Sequence, residues 1–289
     1  GAVESTVLEV LVRHLRKRCE AVVTQLVEDD QLWCDCTIDL HDAVLTEIAD
    51  FRGATFTNAD FRGATFTNNA NFWRATFTNN ANFRGATFTY ADFERATFTN
   101  NANFWRATFT YADFERATFT NNADFWRATF TYANFQGATF TYANFRGATF
   151  TYANFRGATF NRADFWGATF KRDADFQGAT FTYANFWRAT FKRDADFQGA
   201  TFTYANFWRA TFKRDANFQD ATFTNDDFQD ATFTRSAPPM GFPPGRVDED
   251  GLPHGARWAD ADDEGLEAGS PDDAPAEGTD PGSAGSAAS

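Results

Sequence analysis

The residues of this chain that could do chemistry are few and scattered. His14, His41 and His254 stand far apart, and each suits solvation or local packing better than acid–base work. Cys19, Cys34 and Cys36 give one C-x-C and a distant third thiol, without a positioned fourth ligand for a structural zinc. Asp and Glu recur by copying, so no pair stands out as an acid–base couple, and no glycine-rich loop is placed to cradle a phosphate. The chain reads as a non-enzyme with no cofactor and no metal. What remains is the chemistry of recognition. Trp105, Trp126, Trp166, Trp187 and Trp208 fall 20–22 residues apart or at multiples of that step, accompanied by Arg106, Arg127, Arg146, Arg188 and Arg209. Exposed Trp beside Arg is enriched where proteins meet partners. A second regular pattern is Thr-x-Thr, at Thr76 and Thr78, Thr97 and Thr99, Thr118 and Thr120, Thr180 and Thr182, and Thr201 and Thr203.

The framework that must position these residues is a five-residue unit repeated 36 times from Ala49 to Arg235: a small residue, a polar one, Phe, then two variable polar positions. Of 37 Phe, all but Phe242 are unit centres, and only Asp226 breaks the Ala column. Ala and Phe lie two apart, so an extended backbone turns both to one side and the residue between them to the other. One unit cannot bury its Phe, but stacked copies can.

The number of units per turn is legible from seven units that carry a sixth residue, starting at Ala64, Ala75, Ala96, Ala117, Ala168, Ala189 and Ala210. Ala75, Ala96 and Ala117 recur at 21, as do Ala168, Ala189 and Ala210, and 21 is four fives plus one, so each extra residue lies above the last if four units complete a turn. The fold class expected is therefore an all-β solenoid, four-sided, with about nine to ten coils and a length on the order of 43 Å. Ile38-Asp39-Leu40 and Ala43-Val44-Leu45 match the unit with aliphatic centres and place its start two units before Ala49.

Numbered from Ala49, odd units read A-(D/N)-F and fill faces one and three, while even units read A-T-F and fill faces two and four. Face three carries Arg62, Arg84, Trp105, Trp126, Arg146, Trp166, Trp187 and Trp208 in one outward column, and it is the basic side. Face one is more acidic. Face four stacks Tyr90, Tyr111, Tyr132 and Tyr152 before switching to Lys171-Arg172-Asp173 and its copies. Face two presents the Thr-x-Thr ranks, interrupted only by Asn161.

The tandem A-(D/N)-F-x-x consensus resembles the pentapeptide-repeat family over about two thirds of the chain, and the resemblance implies a right-handed quadrilateral β-helix. Some members of that family mimic DNA and occupy its site on gyrase, which implies inhibition or protection of a topoisomerase as one reading. Such mimicry needs sustained negative potential along the rod. Residues 38–235 hold 20 acids and 20 bases, whereas residues 1–37 hold 7 and 4 and residues 236–289 hold 12 and 2, so the formal charge of −13 resides mostly in the C-terminal part. A neutral rod with one basic face favours an interaction scaffold that presents the Trp/Arg column to a protein partner. Ice binding through the Thr-x-Thr face is a further alternative, since Thr ranks resemble the ice-binding surfaces of insect antifreeze β-helices. Direct nucleic-acid binding is not expected without a basic footprint, and an open solenoid end offers a route to a dimer.

The domain plan follows: residues 1–37 as an N-terminal helical cap and lead-in, 38–235 as the solenoid, and 236–289 as a Pro-rich end followed by a disordered acidic tail. Residues 5–28 show apolar positions at helical spacing with a Thr6/Glu9 capping box. From Arg246 the composition is that of disorder. Three Cys without a disulfide framework and no apolar run long enough to span a bilayer suggest a cytoplasmic setting. The chain begins Gly1-Ala2, which leaves room for an upstream segment.

Overall fold

A computed structural model describes residues 37–260. The N-terminal helix expected over 5–28, Cys19, Cys34, Cys36 and the acidic tail beyond Asp260 lie outside the described residues. Within them the chain is a right-handed, four-sided β-solenoid built from parallel rungs. Register proves the four-unit turn on every face. Ala49 pairs with Ala70, Thr55 with Thr76, Ala59 with Ala81 and Thr65 with Thr87.

Face two is a nine-stranded ladder from Thr55–Phe56 to Thr222–Thr224. Faces four and one merge into a single sheet where strands such as Thr87–Asp92 run round the corner between them. Face three starts as four strands and continues as single bridges from Asn103 through Asp124, Asn144, Asp164, Asn185 and Asn206 to Asp227. Face four alone counts eleven rungs, more than the nine to ten coils expected. The additions are Val44–Leu45 at the start, which the aliphatic lead-in announced, and Arg257–Trp258 at the end, which nothing in the repeat announced.

The Phe rings fill the interior and the Ala methyls pack the corners beside them. From Phe51 to Phe218 every unit-centre Phe is almost entirely buried. Rings one turn apart stack, as Phe77 on Phe98 at 4.6 Å and 1°, while rings on adjacent faces meet edge to face, as Phe98 and Phe104 at 5.6 Å and 76°. Both are favoured aromatic geometries. At roughly 2 kcal/mol gross per buried ring, this stack is the main source of stability.

The C-terminal end is closed by ordered chain. Phe242 lies 4.6–5.3 Å from Phe218, Phe223 and Phe228, the rings of the last coil. Asp226, in the inward slot of the Ala column, accepts hydrogen bonds from Ala205 N (2.6 Å) and Thr224 N (2.7 Å). Burial pushes its carboxyl above the ordinary value. Residues 246–260 are not the unstructured chain expected from composition. Leu252 is buried, Asp248 accepts from the N–H groups of Asp250 and Leu252, and Arg257–Trp258 adds the last rung. Two apolar anchors and one side-chain-bonded turn order a segment whose average composition is polar.

On face one the aligned carboxyls of Asp92 and Asp113 are raised from their ordinary 3.8, first by burial and then also by neighbouring negative charge. A raised folded-state value means that ionisation costs stability above it and costs nothing below the unfolded value. Asp113→Asn keeps the Oδ1 that accepts the Glu115 N–H at 2.8 Å. The variant is therefore expected to melt higher than the parent at pH 7, the gain vanishing below pH 3.8. Thermal melts at pH 7 and pH 3 check this.

Candidate functional site: the Trp/Arg column

Each Trp of face three follows an Asn or Asp by two residues, and that side chain fixes its backbone. The Oδ1 atoms of Asn103, Asp124, Asp164, Asn185 and Asn206 accept from the N–H groups of Trp105, Trp126, Trp166, Trp187 and Trp208 at 2.8–3.0 Å. These Asx bonds turn the chain off the face at a repeated point. The residue after Phe is thereby aimed outward at the same level in every coil. The next residue bends the chain left-handed: Arg106, Arg127, Arg188 and Arg209 have φ of 56°, 55°, 57° and 56°, where Gly63, Gly85, Gly147 and Gly167 stand in four other coils and Asp230 in the last. An L side chain there costs on the order of 1 kcal/mol relative to Gly, so four corners carry a guanidinium at the expense of backbone ease.

The side chains form one column, as their spacing predicts. Trp105 stacks on Trp126 (5.5 Å, 7°), Trp187 on Trp208 (5.1 Å, 11°), and Trp166 meets Trp187 edge-on (6.1 Å, 66°). Arg84 lies 3.9 Å from the Trp105 ring centroid and Arg146 lies 4.6 Å from that of Trp166. Arg106, Arg127, Arg188 and Arg209 sit 4.9–5.6 Å from the ring of the Trp preceding each of them. The six Arg are exposed, Trp126 is the most exposed of the rings at 36%, and the other Trp are half-buried. Cation–π contact holds each guanidinium flat while leaving its N–H groups available.

The ionic partners divide unevenly. On face one Arg52, Arg95, Arg116 and Arg156 pair with Asp50, Glu94, Glu115 and Asp175 at 2.7–3.7 Å. On face three Arg62 is held by Asp60, Arg146 lies 3.7 Å from Asp164 and Arg209 lies 3.5 Å from Asp230. Arg84, Arg106, Arg127 and Arg188 have no ion-pair partner among the described residues. The indole Nε1 atoms of Trp105, Trp166 and Trp187 are buried without an acceptor. Sequence reasoning located the column but could not reach these last two features, which depend on rotamers rather than spacing.

The Thr-x-Thr ranks are also in register, Thr97 on Thr118 and Thr180 on Thr201 among them. In part of the outer rank the hydroxyls are occupied. Thr78, Thr99 and Thr120 Oγ1 donate to Phe56, Phe77 and Phe98 carbonyls one coil below, at 3.2–3.4 Å. The edge of that face is not flat, because Tyr142, Tyr183 and Tyr204 stand 45–49% exposed beside it. Arg162 lies between the first two, 5.5 and 5.4 Å from their rings. The sequence reading picked out the face-four tyrosines, which stack at 5.1–5.2 Å from Tyr90 to Tyr152, and passed over this second Tyr group.

His41 pairs with exposed Asp39 at 2.6 Å, which raises its pKa, and His254 Nε2 lies 3.3 Å from Gly245 O. Among the described residues no three His, Cys, Asp or Glu side chains converge as a metal site, and no helix is long and apolar enough to cross a membrane.

The chain matches the family model for pentapeptide repeats (9 copies), in overlapping segments at residues 37–76, 65–108, 104–155, 125–180, 155–201 and 176–222. Among solved structures it is similar to HetL, a pentapeptide repeat protein involved in heterocyst differentiation regulation from the cyanobacterium Nostoc sp. strain PCC 7120. That match has 25% identity over 68% of this chain and 87% of that one, with a TM-score of 0.32. It is also similar to QnrB1, a plasmid-mediated fluoroquinolone resistance protein, at 18% identity over 64% of this chain and 93% of that one, with a TM-score of 0.35. No curated protein matches the chain.

Proposed function

Because the chain belongs to the pentapeptide-repeat family, we propose that its solenoid is a non-enzymatic scaffold that presents the Trp/Arg column of face three to a protein partner. The observation that carries the reading is the imbalance between faces. Face one pairs most of its own arginines internally, whereas face three leaves Arg84, Arg106, Arg127 and Arg188 without carboxylates, on a bed of Trp. A surface built only to clad the core gains nothing from unpaired cations. A partner-facing surface gains Trp and Arg, the two residues that most often dominate binding energy. The rigid rungs beneath also limit the ordering entropy lost on binding. DNA mimicry is the weaker reading, because the face richest in aromatic groups is basic.

The test compares proteins recovered on the immobilised chain with those recovered on W105S/W126S/W187S/W208S, with R52Q/R95Q/R116Q on face one as control. Recovery of a specific partner is expected to fall by about tenfold or more with the Trp variant, since single hot-spot truncations cost about 2 kcal/mol, and to persist with the control. Equal recovery on all three would remove face three from consideration.

A further inference from the structure

The column contains its own example of how it takes a negative charge. Trp208-Arg209 is followed one coil later by Asp230. The Asp230 carboxylate accepts from Trp208 Nε1 at 3.2 Å and lies 3.5 Å from Arg209 Nε. One carboxylate thus satisfies an indole N–H and a guanidinium together. Three other Trp-Arg dipeptides, at 105–106, 126–127 and 187–188, stand in the same place in their coils without that acid. The corner one coil on is Arg127, Gly147 and Arg209 respectively.

We propose that these three dipeptides are carboxylate receptors, and that the partner segment they bind is an extended, Asp/Glu-rich stretch of protein. The proposal rests on the reading of face three as the partner surface and names the chemistry of what it meets. Four observations converge on it. Arg106, Arg127 and Arg188 are exposed and have no ion-pair partner among the described residues. The Nε1 atoms of Trp105 and Trp187 are buried donors without acceptors, although a buried polar group without a partner costs stability. Arg106 and Arg188 lie over those same rings, 5.1 and 5.6 Å from the centroids, so a carboxylate that draws the guanidinium outward opens the indole edge to itself. Between Asp60 and Asp164 the one acid on face three is Asp124, and its Oδ1 is already engaged, accepting from Trp126 N and Asn144 Nδ2.

A peptide suits the site better than a nucleic acid. The rod carries equal numbers of acids and bases, so it lacks the broad positive field that nucleic-acid binding exploits. Planar guanidinium held on an aromatic face is matched to bidentate carboxylate pairing, which works at short range. Rungs recur about every 4.8 Å and same-side residues of an extended peptide about every 6.7 Å, a mismatch that a Glu side chain spans.

The test is fluorescence anisotropy of a labelled deca-glutamate peptide on the full chain, with deca-lysine and a 20-nucleotide single-stranded DNA as further probes. Deca-glutamate is expected to bind, to weaken with added salt, and to lose about tenfold or more in affinity with R106Q/R127Q/R188Q. R52Q/R95Q/R116Q on face one is expected to leave its affinity unchanged. Gly147→Asp supplies a variant that removes no side chain. A Cβ at Gly147 meets Arg127 Cγ at 3.5 Å, ordinary contact, and Asp230 shows that Asp tolerates this corner with φ of 56°. The new carboxylate is expected to fill the 126–127 receptor from within and weaken peptide binding. Absence of deca-glutamate binding, equal affinity in all variants, or preference for the DNA probe would each overturn the proposal. If the Trp-to-Ser variant still loses its protein partner while deca-glutamate fails to bind, the partner surface stands and the carboxylate assignment falls.

Discussion

Phe125→Ala is expected to remove about 3–5 kcal/mol of unfolding free energy, the range for deleting a fully buried aromatic ring. Phe125 has no exposed surface. It stacks on Phe104 and Phe145, each at 4.7 Å, and meets Phe114, Phe119, Phe130 and Phe140 at 5.4–6.4 Å. Those neighbours cannot slide into the void, because each is fixed to a ladder rung whose spacing is set by backbone hydrogen bonds. The cavity term therefore applies nearly in full. A solenoid is held together by nearest-neighbour contacts, so the damage also has a location. Hydrogen exchange should quicken in the coils holding residues 104–145 before it does at either end, and urea unfolding should lose cooperativity. A loss below about 1 kcal/mol, the ordinary effect of a surface change, would mean that the ring stack is not the main source of stability.

Gly241→Ala is expected to have the second-largest effect, through backbone rather than core. Gly241 has φ of 85°, outside the range that L residues adopt without strain, and a Cβ there would collide with backbone atoms of Phe218 and Gln219. Neither of those atoms can yield, since Phe218 N donates to Met240 O at 2.8 Å as part of the ladder. The strain of roughly 1–3 kcal/mol is relieved by pulling Phe242 off Phe218, Phe223 and Phe228, which uncovers the last coil. The outcome to look for is a lower Tm with binding of a hydrophobic dye, and exchange that rises first in residues 216–235. Gly157→Asn serves as the contrast. Nothing lies within 4 Å of a Cβ at Gly157, and the same corner carries Arg116 two coils earlier. That variant should lose no more than the roughly 1 kcal/mol of a left-handed corner, and an equally small loss in Gly241→Ala would show that the end is not closed by this approach.

How much of this was legible in the sequence follows from what each feature depends on. Ladder register depends on chain length per turn, and the sixth residues at Ala75, Ala96 and Ala117 record that length directly. Every column assigned from them has its rung partner. The aromatic column of face three is legible for the same reason. The left-handed corners are half-legible: Gly63 and Gly85 mark a position of positive φ, and Arg106 in the equivalent slot of the next coil inherits it. Closure of the last coil by Phe242 is legible from a lone Phe just past the repeat, whereas the ordered chain beyond Arg246 escaped because Leu252 and Trp258 act as single anchors in polar chain, where composition averages over the residues that matter. Which arginines find carboxylates escaped because rotamers decide it. The sequence shows only that Arg116 follows Glu115 and Arg127 follows Trp126; that Glu115 turns its carboxylate to within 3.7 Å of Arg116 is set by the rotamers.

All the functional assignments rest on four units making one turn, so that residues about 21 apart become neighbours. The direct measurement is the distance between spin labels at Thr55→Cys and Thr222→Cys in a chain whose three native cysteines are Ser. Those positions begin the first and last strands of the nine-rung ladder on face two, eight steps apart. At about 4.8 Å per step the backbones are expected to lie on the order of 38 Å apart. Three units per turn would stretch the same segment to roughly 51 Å. A distribution centred there would scatter Trp105, Trp126, Trp187 and Trp208 over different faces and contradict the account.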